Sequence, residues 1–427
     1  MNASHTPAPR APLLPLDAAL GDLLGRVQPM ASVETVSTFE ADGRVLAEDL
    51  TSGLQVPPHD NSSMDGYALR VADVTAPGVV LRVSQRIAAG HEAHALEPGT
   101  CARIFTGAPM PQGADAVVMQ EDTVEVGGDI HGVHIQAVPR VGQWVRRAGE
   151  DVERGAAVLV RGQRMSPASL GLAASLGRAE LRVVARPRVA LFSTGDELVM
   201  PGEVAPEHMK PGAIYNSNRF FLRALLMRMG CEVSDMGIVP DRREATLEAL
   251  RTAAARHDLI LTSGGVSVGE EDHIKPSVQQ LGRLDLWQIA MKPGKPFAYG
   301  TVRRSADAAD ACHFIGLPGN PVSSFVTFLL LVRPFLLRLQ GVPLEVSQAL
   351  PAATRLPAHF AVERADKRRE FLRVRRNAGG GLDLFPNQSS GVLTSTVWGD
   401  GLVDNPAGTT IGHGDLVSYL SFSDLLA

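Results

Sequence analysis

The chain has 427 residues, 44% hydrophobic and 20% charged, a length that predicts about two to four domains and a composition that excludes a disordered or fibrous protein. Its 41 Lys and Arg against 46 Asp and Glu leave a net charge of −5, so no global field attracts nucleic acid or an anionic membrane, and any anion must be held locally. Cys101, Cys231 and Cys312 form no CxxC pair, which excludes a disulfide scaffold and a zinc ribbon and points to a reducing, cytoplasmic setting.

Residues 1–15 carry early prolines and no apolar run long enough for a signal peptide, and read as a disordered tail. Ala19, Leu23, Leu24 and Val27 then recur at helical spacing and end near Pro29. From Gln55 to Trp144 short Val, Ile and Leu runs alternate with Gly and Pro turns, as in 79–83, 116–119 and 134–138, the pattern of an all-β module. Helix resumes over 167–176 and stops at Gly177. The module over 55–147 therefore reads as an insertion in an elongated helical domain made of 16–54 and 148–186.

Strand and helix signals alternate from Arg188 to about Leu339. Strands are expected at 189–192, 233–239, 258–262 and 313–315, and helices at 218–229 and 242–256. That order builds a doubly wound α/β domain over 187–340 on a parallel sheet, with ligands beyond the carboxyl ends of the strands. The apolar run 325–337 is cut by Thr327 and Arg333-Pro334 and reads as a buried helix. Weaker β signals over 341–427 suggest a small sandwich or barrel. The expected fold class is multidomain α/β plus β.

The sharpest loop is Ser263-Gly264-Gly265-Val266-Ser267-Val268-Gly269, after a strand and before Glu270-Glu271-Asp272. Paired glycines let successive N–H groups converge on phosphate oxygens, and Ser263 and Ser267 add hydroxyl donors. An acid closing such a loop is suited to holding Mg²⁺ against the phosphates. Ser193-Thr194-Gly195-Asp196-Glu197 and Gly316-Leu317-Pro318-Gly319-Asn320-Pro321 also follow strands and should meet the first loop in one crevice. Met291-Lys292-Pro293-Gly294-Lys295-Pro296 presents two lysines on a proline-stiffened segment, which suits a compact oxyanion. Neither a Walker A sequence nor G-x-G-x-x-G is present.

Three more polar clusters lie elsewhere: HDNSSMDGYA at 59–68, FTGAPMP at 105–111 and Gly149-Glu150-Asp151. Together with FSTGDEL, IYNSN, SGGVSVGEED, MKPGKP and GLPGNPVS, in this order, they make the chain resemble the molybdopterin molybdenumtransferases, the family of MoeA and the gephyrin E domain, from about Leu16 to the end. The resemblance implies an elongated homodimer with a molybdopterin-binding α/β domain. It implies that the enzyme inserts molybdate into adenylylated molybdopterin, with Mg²⁺, releasing AMP and molybdenum cofactor. It implies no nucleic-acid or membrane partner, and makes a molybdopterin adenylyltransferase and molybdoenzymes the candidate partners.

Carried over by position, the family carboxylates fall on Asp60, Asp151, Glu197, Asp241 and Asp272 and a family threonine on Thr106. Glu197, Asp241 and Asp272 are the implied metal ligands. Substrate contacts fall on Thr194, Gly195, Asn218, Ser263, Gly264, Gly265, Ser267, Gly269, Lys275, Pro318 and Pro321. Lys292, Lys295 and Ser323 take the oxyanion side, joined by Arg373 and Ser390 from the C-terminal domain. Arg242, Glu271 and His273 depart from the residues usual in relatives. The alternatives are a non-catalytic, gephyrin-like scaffold and a tungsten-inserting homolog.

Overall fold

The computed structural model describes residues 13–127, 131–265, 273–305 and 310–426. The chain combines α/β and β architecture in two compact units, one of Met1–Glu34, Gly43–Ala47 and Arg182–Ala427, the other of Thr35–Asp42 and Glu48–Leu181.

The first unit is built on a six-stranded sheet. Its strand order is Glu232–Val239, Arg188–Thr194, Leu259–Ser263, Ala311–Leu317, Pro296–Arg303, Gly282–Gln288. The first four strands run parallel, and every residue of Leu259–Ser263 is buried, as a central parallel strand covered on both faces requires. The last two strands, which the sequence pattern did not reveal, run antiparallel and correct the expectation of a parallel sheet. Only residues 289–295 join them, too short for the crossover that parallel pairing needs. Those residues carry most of the MKPGKP segment, and Met291–Lys292 adds itself, in parallel, to Arg369–Glu370 of the C-terminal region.

Helices cover both faces of the sheet. Arg243–Arg256 and Ile274–Leu281 bury Leu250, Ala253, Ile274 and Val278 on one side. Asn218–Arg228 and the long apolar segment pack on the other, and so does Leu16–Gly25, through Leu16, Ala19, Leu20, Leu23 and Leu24. The opening helix thus belongs to this core and not to a helical domain shared with 148–186. The segment Pro321–Leu339 is long and apolar enough to cross a membrane, but is 83% buried inside the protein. It passes through a π-helical turn, Phe328–Val332, just before Pro334. Proline lacks an N–H and its ring crowds the carbonyl four residues back, and the wider turn accommodates both effects.

The C-terminal strands Leu382–Leu384, Arg369–Arg376, Gly401–Asn405, Leu416–Ser421 and Thr354–Pro357 pair antiparallel in that order. A bridge from Ala358 to Leu382 returns the path to its start. Ala358, Leu372, Val374, Leu382, Val403 and Tyr419 fill the interior.

In the second unit a six-stranded sheet takes the order Ala116–Met119, Gly66–Leu69, Thr100–Ile104, Val79–Ile87, Gly132–Ile135, Thr123–Val126. The chain enters and leaves this sheet through an antiparallel ribbon. Leu50–Thr51 pairs with Ala157–Leu159, Val56 with Val152, and Asn61–Ser62 with Val145–Arg146. The expected helical character of this region is therefore corrected. Among its described residues the one α-helix is Pro167–Ser175, opened by a capping box between Ser166 and Ser169. The β-branched and proline-rich flanks of the insertion pair with each other instead of coiling.

His313, on a central strand, exchanges a 2.9 Å hydrogen bond with the Tyr299 hydroxyl and meets the Phe335 ring edge-on at 5.1 Å. Burial, reinforced by the Arg304 charge, pushes its pKa down to about 4, so it stays neutral where an unfolded histidine takes a proton. The resulting stability is complete above about pH 6.5 and is lost as pH falls towards 4, about 3 kcal/mol in all. Urea unfolding at pH 7 and pH 4.5 is expected to register this loss, and His313→Gln to remove most of it. Equal pH dependence in both proteins would refute the assignment.

Candidate functional site

Three loops leave the carboxyl ends of parallel strands and meet at a cleft of about 700 Å³. Thr194, Gly195, Glu197, Asn218, Asp241, Ser263, Gly264, Gly265, Pro318 and Pro321 all line it, ten of the residues singled out from the sequence. The strand order makes this possible: the strands ending at Thr194, Ser263 and Leu317 are adjacent, so their loops must be neighbours.

Asn218 ties these loops together. It begins the helix Asn218–Arg228, is 8% exposed, and its Nδ2 donates to Ser263 Oγ and to the Gly319 carbonyl, both at 2.7 Å. The Gly264 N–H donates to the Leu317 carbonyl at 3.0 Å. Gly264 and Gly265 have φ of +92° and +69°, and a Cβ on Gly265 would lie 2.6 Å from Ile274 Cγ1 and 3.1 Å from Thr194 Oγ1. Glycine is needed there for conformation and for space. A Cβ on Gly195, where φ is +138°, would collide with the Glu197 carboxylate, which folds back over the turn.

The rim carries negative charge. Glu197 is exposed and Asp241 partly buried, and the Asp241 N–H reaches Asp196 Oδ1 at 3.4 Å. Both side chains are hard oxygen donors at the edge of a cleft lined by hydroxyls and glycine backbone. Ser267, Gly269 and Asp272 lie outside the described residues, as does Glu271. Lys275 sits in the first turn of Ile274–Leu281, just after that segment, with His273 preceding the helix. Arg242 precedes the helix Arg243–Arg256 next to Asp241 and is exposed.

The two lysines of MKPGKP differ. Lys292 donates to Glu370 Oε1 at 2.9 Å and lies 3.4 Å from Asp366 Oδ2. The Glu370 hydrogen bond raises its pKa, against the opposing effect of burial. Lys295 makes no ion pair among the described residues and is partly buried, so its charge is available to a ligand. Neither lysine lines the cleft, although Pro296, next to Lys295, does.

Arg373 is 1% exposed, and among the described residues its guanidinium donates to neutral oxygens: Ser395 Oγ at 3.1 Å, the Ser389 carbonyl at 3.2 Å and the Phe371 carbonyl at 3.3 Å. Burial lowers its pKa to about 10, and it remains charged at neutral pH. Its position braces the loop that brings the Ser390 carbonyl to the Val322 N–H at 3.0 Å and Gly391 to the cleft wall. Ser323, 4% exposed, follows in the same helical turn.

Asp60, Thr106 and Asp151 lie in the second unit. Asp60 accepts from Arg147 Nη1 at 2.6 Å and from the Ala148 N–H at 2.8 Å, and these bonds, led by the backbone one, depress its pKa. Thr106 donates its N–H and hydroxyl to Asp65 Oδ1 at 2.8 and 2.7 Å. Asp151 is exposed. Gly319 and Asn320, from the loop expected here, also line the cleft, as do Tyr215, Asn216 and Gly391, which were given no role from the sequence. Asn216 had a signal within IYNSN. It is 2% exposed, and its Nδ2 has no partner among the described residues.

Adjacent strand-end loops, glycines in the left-handed region and clustered hydroxyls define an α/β protein with a polar cleft at the carboxyl ends of its strands. Three family models place it further: "MoeA N-terminal region (domain I and II)" matches residues 14–177, "Probable molybdopterin binding domain" 190–338 and "MoeA C-terminal region (domain IV)" 355–422. A molybdopterin molybdenumtransferase of Haemophilus influenzae is 42% identical over 331 residues, covering 77% of this chain and 78% of that protein. One from Nostoc is 34% identical over 422 residues, covering 95% and 94%. The solved structure of a molybdopterin biosynthesis MoeA protein from Pyrococcus horikoshii is 30% identical, with a TM-score of 0.74, covering 96% of this chain and 99% of that one. The chain belongs to the molybdopterin molybdenumtransferase family and is an enzyme of molybdenum cofactor biosynthesis.

Asn218→Ala removes both donors that join the loops and leaves Ser263 Oγ and the Gly319 carbonyl short of a partner. The expected cost is about 1–3 kcal/mol, read as a lower midpoint of thermal unfolding, with weaker pyrophosphate binding by calorimetry. Unchanged binding despite lower stability would separate Asn218 from the cleft's shape.

Proposed function

We propose that the enzyme inserts molybdate into adenylylated molybdopterin and releases AMP and molybdenum cofactor in a Mg²⁺-dependent reaction. The observation that carries this reading is the convergence of the glycine loops, Asn218 and the acidic rim on one cleft. Backbone N–H groups and the hydroxyls of Thr194 and Ser263 suit the pyrophosphate bridge of such a substrate. Ser267 and Gly269 extend that loop, and Lys275 adds a cation just beyond it.

Glu197 and Asp241 fit Mg²⁺, which takes one or two carboxylates and completes its shell with water and substrate phosphates. Asp272 joins this set by sequence. When bound, Mg²⁺ would neutralise and polarise the phosphoanhydride. Lys295, which makes no ion pair among the described residues, meets the incoming oxyanion, with Lys292, Ser323, Arg373 and Ser390 shaping that side.

The working form is a homodimer in the cytoplasm, each site drawing on Asp60, Thr106 and Asp151 from a second copy. A molybdopterin adenylyltransferase would supply the substrate and molybdoenzymes would take the product. A single experiment tests the core of this reading. The purified protein, incubated with adenylylated molybdopterin, Mg²⁺ and molybdate, should release AMP, and should not do so without Mg²⁺. Absence of AMP release would favour a scaffold role. Faster turnover with tungstate would favour the tungsten alternative.

Lys295→Ala is expected to raise the molybdate KM at least about tenfold, the scale of a lost hydrogen bond to a charged group, while affinity for the pterin nucleotide changes less than about twofold. Equal losses for both substrates would refute the assignment. Mixing inactive Asp60→Ala and Asp272→Ala subunits should restore activity. With random exchange half of the dimers are mixed and each has one intact site, so recovery should approach about a quarter of the wild-type level. No recovery despite demonstrated exchange would place both residues in a site built within one chain.

A further inference from the structure

A second depression opens beside the phosphate cleft, and its chemistry is different. It has a volume of about 500 Å³ and is walled by Pro201, Phe220, Phe221, Phe325, Leu393 and Val397. Ser217 lines both depressions. Gly391 borders the cleft and Leu393, two residues on, borders the groove. The two therefore adjoin at Ser217, the cleft polar and the groove apolar.

Its aromatic floor is held in place. Phe221 meets Phe325 edge-on at 5.9 Å, and Phe325 meets Phe422 edge-on at 5.5 Å. Phe220, one residue along the same helix, makes no ring pair among the described residues and is 53% exposed, and Val397 opposite is 83% exposed. A fixed aromatic floor with open apolar side chains, next to a phosphate-binding end, suits a ligand that carries a planar ring on a phosphate.

We propose that this groove is the ring subsite of the cleft, in which Phe220, Phe221, Phe325 and Val397 receive a planar heteroaromatic ring of the pterin nucleotide while the glycine loops hold its phosphates. The proposal rests on the substrate class given above. Two rings of that substrate share the required chemistry, the pterin and the adenine, and the test separates them.

Phe220→Ser and Val397→Asp change exposed side chains and are expected to leave thermal unfolding near wild type. Calorimetry would follow three probes: inorganic pyrophosphate for the cleft alone, AMP for the adenine ring and pterin-6-carboxylate for the pterin ring. Each variant should bind one of the ring probes about tenfold more weakly, the scale of one lost stacking contact, with pyrophosphate unchanged. Loss confined to AMP assigns the groove to adenine, and loss confined to the pterin probe assigns it to the pterin. Wild-type affinity for both ring probes overturns the groove while leaving the cleft intact. Failure of the wild-type protein to bind pyrophosphate overturns the phosphate reading itself, and the groove with it.

Discussion

The amide of Asn218 is the constraint on which the cleft depends. Buried at the start of a helix, it donates at 2.7 Å to the end of one strand and at 2.7 Å to the loop after another. A buried amide donor without a partner is costly, so each loop holds the others near one geometry. Gly264 and Gly265 add a second condition, since their left-handed backbone and the closeness of Ile274 and Thr194 exclude a side chain. Preorganisation of this kind holds the described ends of these loops in one arrangement, so that a ligand need not spend binding free energy on ordering them.

Charge is distributed with equal economy. Glu370, 4% exposed, has Lys292 as a partner for one carboxylate oxygen and none for the other among the described residues. That ammonium, through Met291–Lys292 pairing with Arg369–Glu370, joins the α/β sheet's connecting segment to the C-terminal sheet. Lys295, three residues later, makes no ion pair among the described residues. Arg373 holds a third position: a buried guanidinium satisfied by neutral oxygens, which keeps its charge and fixes the loop carrying Ser390 and Gly391. Three cations close in sequence or register thus do different work, one in a half-buried ion pair, one with no ion pair among the described residues and one as a brace.

The insertion has a structural logic of its own. The six-stranded β sheet of the second unit interrupts the chain after Ser62 and returns it at Val145, and the flanking segments pair along their length. A paired ribbon satisfies the backbone of both segments without a core of its own, so the inserted sheet can keep separate apolar clusters on its two faces.

Much of this was legible in the residues. Apolar periodicity located the four parallel strands and their helices, because the 2.0 and 3.6 periods leave direct marks, and glycine-rich segments after strands marked the loops that meet. Eight positions in those loops line one cleft, joined by Asn218 and Asp241, which the family resemblance supplied. Local pattern did not reveal the antiparallel pair Gly282–Gln288 and Pro296–Arg303, whose sequences are broken by glycine, charge and proline, nor the ribbon around the insertion. It also assigned the helix Leu16–Gly25 to the wrong neighbours, since an amphipathic face announces burial but not its partner. The division between Lys292 and Lys295 was equally hidden. Two lysines three residues apart in one motif are equivalent as a string. What distinguishes them is Glu370, 78 residues from Lys292 in the chain. The sequence by itself determined which elements form, where the loops fall and which chemistry they carry. Only the tertiary structure decided which charges are already spent, because neutralisation depends on distance in space, and no local period records it.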